Sequence, residues 1–140
     1  TFRGFATITF YADDLAAARD WYTELLGLEP YFAFPEAPAA PAYIEFRVGD
    51  DEDELGFVDR KYAPAAATGT PGGAIMNWHV DDVAGTLATL LAMGASEPLT
   101  PRGDSGFVTA SVVDPFGNVL GIMHNPHYLE ILAARASSPS

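Results

Sequence analysis

The stretch ITFYADDLAAARDWYTELLGLEP, residues 8–30, decides the fold, because its pattern returns as MNWHVDDVAGTLATLLAMGASEP, residues 76–98. In each copy an apolar segment meets an Asp-Asp pair, a helical stretch follows, and a glycine closes it. Asp14 to Asp82 is an offset of 68 residues and Gly27 to Gly94 one of 67, so one residue is lost within the second helix. Glu29-Pro30 likewise returns as Glu97-Pro98. A period that carries strand, cap and helix together predicts two copies of one supersecondary unit.

Outward from that stretch, Ala6, Ile8 and Phe10 alternate with Thr7, Thr9 and Tyr11, which predicts a half-buried strand over Phe5–Tyr11. Asp13 or Asp14 serves as N-cap to a helix over Leu15–Leu26, and Gly27 as its C-cap. Leu15, Ala18, Trp21, Tyr22, Leu25 and Leu26 recur at helical spacing and should cover one sheet face. A second strand near Leu28–Phe34 leads into Pro35–Pro41, whose three prolines predict a loop. Tyr43–Val48 and Leu55–Arg60 read as strands joined by the acidic turn Gly49–Asp53. The segment 63–73 reads as a linker. Beyond it Ala74–Val80 is a strand, Asp81-Asp82-Val83 opens a helix to Met93, and a loop spans Thr100–Gly106. Phe107–Val113 and Val119–His124 then flank the turn Asp114-Pro115-Phe116-Gly117-Asn118. Both modules are β-α-β-β-β, an α+β fold: module one over 5–62 and module two over 74–128 form a single domain, 1–128. In the tail, 129–140, Leu129, Ile131 and Leu132 are expected to pack across a dimer interface.

Composition narrows the function. Half the chain is apolar (49%) and 12% aromatic, enough for an ordinary core, yet no apolar run reaches bilayer length. Nineteen acids against seven bases give a net charge of −12, poorly suited to gripping phosphate backbones. No nucleic acid and no membrane is expected as a partner. The acids keep the domain soluble or attract a cationic small molecule. No cysteine is present, which excludes disulfides, thiolate nucleophiles and sulfur-ligated metals, and favours a cytoplasmic address. No basic stretch followed by an apolar one opens the sequence, so no signal peptide is expected.

Alternation also sorts side chains by face. With Ala6, Ile8 and Phe10 packed on the helix, Thr7, Thr9 and Tyr11 point the other way. Tyr43, Glu45 and Arg47 join them because Ile44, Phe46 and Val48 suit the helix side. Asn77 and His79 follow in module two, with Phe107, Thr109 and Ser111, and with Met123 beside Gly121. Such a lining, aromatic and uncharged-polar with one carboxylate, one guanidinium and one imidazole, suits a flat or amphipathic ligand. Gly56 and Gly121 should enlarge the space. Each residue has a plainer reading too. Glu45 and Arg47 pair at a solvated rim, and His79 is a hydrogen-bonded structural histidine.

The order Asp14-Leu15, Trp21-Tyr22, Leu26-Gly27-Leu28, Val80-Asp81-Asp82-Val83, Met93-Gly94-Ala95 and Asp114-Pro115-Phe116-Gly117-Asn118 resembles the vicinal oxygen chelate superfamily. That family comprises glyoxalase I, bleomycin-resistance proteins, fosfomycin-resistance enzymes and extradiol dioxygenases. The resemblance spans residues 5 to 128. It implies a curled eight-stranded half-barrel sheet around a cavity, with helices outside, and a homodimer. In metal-dependent members four cavity-facing strand positions carry His, Gln or Glu, and here these positions are Thr7, Gly56, Ile75 and Gly121. Divalent cations need oxygen or imidazole donors, and this set offers one neutral hydroxyl. No metal or other cofactor is expected, and glyoxalase I or dioxygenase chemistry is not. A shifted site through Glu54 and His79 remains as an alternative. The cluster His124-Asn125-Pro126-His127 reads instead as a chain-terminating turn, since Pro126 should break regular structure.

Two functions follow from these readings. One is non-enzymatic binding of a hydrophobic or cationic antibiotic-like molecule, in the manner of the bleomycin-resistance branch. The other is a metal-independent or shifted-metal lyase or isomerase, with His79 as general base and Arg47 or Tyr43 steadying an oxyanion.

Overall fold

A computed structural model of the chain describes residues 1, 3, 5–63, 75–103 and 106–137, with residues 97 and 99–102 described by their backbone. The chain forms two compact units, Thr1–Gly72 and Gly73–Ser140. Most of the expected linker, and Ala74 at the start of the expected fifth strand, lie outside the described residues.

The first unit runs β1 (Thr7–Ala12), α1 (Leu15–Leu26), β2 (Phe32–Phe34), β3 (Tyr43–Val48), β4 (Asp53–Asp59) and a single 3-10 turn over Arg60–Tyr62. Its sheet has the order β1-β4-β3-β2, with β1 parallel to β4 and the other pairs antiparallel. Asp14 is the N-cap of α1: its carboxylate accepts the Ala17 N–H at 3.0 Å, satisfying a helix-start donor. Gly27 closes the helix in the left-handed region at φ 68°, its N–H bonded to the Thr23 carbonyl. Leu15, Ala18 and Tyr22 are the buried positions of α1. They accompany a core of Phe10, Ile44, Phe46, Leu55 and Phe57. Tyr22 meets Phe57 at 4.5 Å between ring centroids, and Phe10 meets it edge-on at 5.8 Å. Burying side chains of this size contributes on the order of 1.5–3 kcal/mol each.

The second unit repeats the plan: β5 (Met76–His79), α2 (Val83–Ala92), β6 (Ser96–Arg102), β7 (Val108–Val113) and β8 (Val119–His124), in sheet order β5-β8-β7-β6. Asp82 caps α2 as Asp14 caps α1, accepting the Gly85 N–H at 3.0 Å. Val83, Leu87 and Leu90 are buried, as are Ala110, Val112, Leu120 and Ile122 of the sheet. Among the described residues the expected eight strands are therefore present, four in each unit, and the α+β class holds.

Beyond shifts of one or two residues at the ends of β1, β4, β5, α2 and β7, three elements differ from the sequence reading. The strand expected over Leu28–Phe34 narrows to Phe32–Phe34, since Pro30 has no N–H for the ladder. β6 runs to Arg102, through the start of the expected loop, and its pairing with β7 shifts register between Ser96 and Leu99 and again between Leu99 and Arg102. Such shifts remove the strict alternation by which a strand is read. The third difference is a helix, α3, over Pro126–Ser137 where a terminating turn and tail were expected. Pro126 begins the helix rather than breaking it, because a first-turn position needs no N–H bond and the fixed φ of proline suits it. Asn125 caps it, with Oδ1 accepting the His127 N–H at 2.9 Å.

Candidate functional site

Strand register places the expected lining residues together on the face of each sheet opposite its apolar core residues. In the first sheet Arg47 pairs with Glu54 and Glu54 with Thr7; Phe32 pairs with Glu45, Glu45 with Gly56 and Gly56 with Thr9; Phe34 pairs with Tyr43, Tyr43 with Val58 and Val58 with Tyr11. Paired residues share a face, so these three rows form one surface away from Ile44, Phe46, Leu55 and Phe57. In the second sheet Asn77, Gly121 and Ser111 make one row and His79, Met123 and Thr109 the next. Phe107 lies just before β7 and is exposed. The registers also fix the equivalence of the two glycines. Gly56 pairs with Thr9 as Gly121 pairs with Asn77, and Thr9 to Asn77 is the same offset of 68.

The first face carries a continuous chain of polar contacts. Thr7 Oγ1 donates to Glu54 Oε2 at 2.6 Å, and Arg47 Nη2 bonds Glu54 Oε1 at 3.1 Å. Arg47 Nε donates to Glu45 Oε2 at 2.9 Å, and the Tyr43 hydroxyl to Glu45 Oε1 at 3.0 Å. The guanidinium therefore bridges two carboxylates on neighbouring strands, and the Tyr31 ring lies over it at 4.2 Å. The Glu45–Arg47 pair is not a solvated rim pair, because Glu45 is only 8% exposed. With two carboxylates against one guanidinium, the cluster keeps one negative charge. Burial, and then the hydrogen bond to Glu45, push the Tyr43 phenol up to about 12, so it stays a donor. The same Glu45 carboxylate raises the pKa of Arg47 further.

The two glycines do not enlarge the space. A Cβ on Gly56 would come 2.7 Å from the Tyr43 hydroxyl, and one on Gly121 would meet Asn77 Oδ1. Each glycine makes room for the side chain lying across it. Of the four positions that metal-dependent relatives use, Gly56, Gly121 and Ile75 bring no donor, and the Thr7 hydroxyl is engaged with Glu54. This donor set does not fit a divalent cation. Among the described residues no three His, Asp or Glu side chains are grouped to hold a metal.

His79 is held on the second face with both ring nitrogens engaged. Nδ1 accepts the backbone N–H of Asn125 at 3.1 Å, so the neutral ring carries its proton on Nε2, which faces Asp81 Oδ1 at 3.3 Å. Tyr128 stacks on the ring at 4.8 Å and 11°, and the His124 ring tilts against it at 5.2 Å. The lone pair a general base would use is committed to a backbone amide. That is the arrangement of a structural histidine.

Sequence reasoning missed several residues of these faces. Phe32 and Phe34, 47% and 62% exposed, share the face of Tyr43, and their alternation with Ala33 was the available signal. Tyr31 lies outside any strand and Tyr128 at the start of an unexpected helix, so neither left a periodic trace.

Similar folds occur among solved structures. A glyoxalase-related enzyme from Fulvimarina pelagi is 24% identical, with a TM-score of 0.66, over 89% of this chain and 90% of that one. TnmS3, an antibiotic binding protein from Streptomyces sp. CB03234, is 22% identical with a TM-score of 0.64, over 88% and 96%. A bleomycin resistance determinant encoded on the transposon Tn5 is 21% identical with a TM-score of 0.59, over 88% and 98%. No curated protein matches the sequence. The sequence pattern of the Glyoxalase/Bleomycin resistance protein/Dioxygenase superfamily matches residues 4–122, and with that match and the repeated βαβββ plan the chain belongs to this superfamily.

Proposed function

We propose that this protein binds, without transforming it, a small hydrophobic or cationic molecule, and that the open faces of its two sheets carry the ligand contacts. The carrying observation is the face of the first sheet. Exposed aromatic rings at Tyr31, Phe32 and Phe34 border a Glu45–Arg47–Glu54 cluster with one excess negative charge. Rings supply area for a planar ligand, and the excess carboxylate favours a positive one. The net charge of −12 adds a long-range attraction of the same sign. Two proteins of the same fold are described as an antibiotic binding protein and a bleomycin resistance determinant, which supports a sequestering role for this chain. The donor-poor set Thr7, Gly56, Ile75 and Gly121 supports binding without a metal.

Calorimetric titration with a panel of planar aromatic cations tests this reading. Saturable binding that weakens with added salt and is lost in Phe32→Ala/Phe34→Ala is expected. No binding across the panel, in a protein that remains folded, would overturn it. A homodimer in the cytoplasm completes the proposal, with Leu129, Ile131 and Leu132 of α3 at its interface. Removal of residues 129–140 should reduce the solution mass to that of one chain. A mass that stays dimeric would contradict that interface.

A further inference from the structure

We propose that His79 is a pH-sensitive anchor for the first turn of α3, holding it when neutral and loosening it when protonated. Within its own chain α3 buries none of its residues, and Leu129 and Ile131 are 37% and 43% exposed, so little apolar packing on its own unit holds it down. At its start it is tied to the second sheet through the His79 imidazole, with the Asn125 side-chain amide also 3.9 Å from the Met123 sulfur. The Asn125 N–H is donated to His79 Nδ1, and the Tyr128 ring lies flat on the His79 ring. Asn125 is also the helix cap, its side chain accepting the N–H groups of His127 and Tyr128. Whatever fixes the Asn125 backbone therefore fixes the first turn.

The tie needs an unprotonated Nδ1. A second proton on the ring goes to that nitrogen, since Nε2 already carries one, and a donor then faces the Asn125 donor. Asp81, from the β5–α2 connection, keeps its contact with Nε2–H in both states. From α3, Tyr128 presents its ring face, which also holds a cation. From β8, His124 opposes it if charged, and its own Nδ1–H is donated to the Gly106 carbonyl. His127 and Glu130, on the same helix, are exposed and paired with each other. Protonation thus proceeds at the expense of the Asn125 bond, while the Tyr128 stack limits how far the helix departs.

Amide hydrogen exchange of the full chain, corrected for intrinsic rates, tests the anchor between about pH 8 and about pH 5, the range in which imidazole changes charge. The Asn125, His127 and Tyr128 amides should exchange about fivefold to tenfold faster at the acid end, the worth of one net hydrogen bond. His79→Phe keeps a ring under Tyr128 but no acceptor, so these amides should be fast throughout with no pH step. Asp81→Asn, on the exposed side, should move the step to lower pH and keeps the anchor testable if His79→Phe misfolds. His124→Phe should leave the step in place. A wild-type profile without a step would overturn the proposal, as would a step that survives His79→Phe or one abolished by His124→Phe.

Discussion

Tyr43 lies across Gly56, and its hydroxyl reaches the buried Glu45 carboxylate. The glycine, the phenol and the carboxylate depend on one another. Burial foremost, then the Glu45 hydrogen bond, raise the phenol from 10.0 to about 12. A raised folded-state value means that the neutral phenol stabilises the fold. That contribution is complete below about pH 10 and is lost as the pH rises through about 12. Spectroscopic titration of tyrosine ionisation should find a group near 12 that is lost in Tyr43→Phe. Gly56→Ala should displace the ring, return this group toward its ordinary value and cost about 1–2 kcal/mol in denaturant unfolding, the worth of the lost hydrogen bond to a charged acceptor. A high-pH titration unchanged by Gly56→Ala would show that Tyr43 does not rest on this glycine. Such a relation cannot be read from sequence. Alternation places Tyr43, Glu45 and Gly56 on one face, but cross-strand pairing alone reveals which side chain fills the gap.

At the scale of elements, the sequence speaks most clearly where local chemistry acts alone. The α1 bounds and the exact extents of β3 and β8 follow from cap residues, alternation and turn glycines, all contained within a few positions. β6 was obscured by its register shifts, and α3 by a proline read as a breaker where it is a starter. Asp14 and Asp82 are equivalent caps in the two units. Asp14→Ala and Asp82→Ala should each lower stability by about 1 kcal/mol, and the double variant by about their sum, as expected for separate sites. Calorimetric melting checks this, and a loss confined to one of them would mean that the second cap is ornamental.

Across the whole molecule, the repeat preserves the backbone plan while the face chemistry diverges. The Arg47–Glu54–Thr7 row of the first sheet corresponds by register and offset to Val113, Val119 and Ile75 in the second unit. Ile75 and Val119 are 51% and 41% exposed, so an ionic row has an apolar counterpart. The binding proposal therefore places charge recognition on the first unit. The family resemblance anticipated the fold. It could not anticipate that Arg47 joins two carboxylates beneath Tyr31, which is a property of this chain's own residues. Amide chemical-shift mapping with a planar aromatic cation that binds the protein tests the central claim most directly. Perturbations should centre on Phe32–Phe34, Tyr43–Arg47 and Glu54–Gly56, and should fade in Glu45→Gln. Saturable binding whose perturbations leave these three segments unmoved would contradict the account.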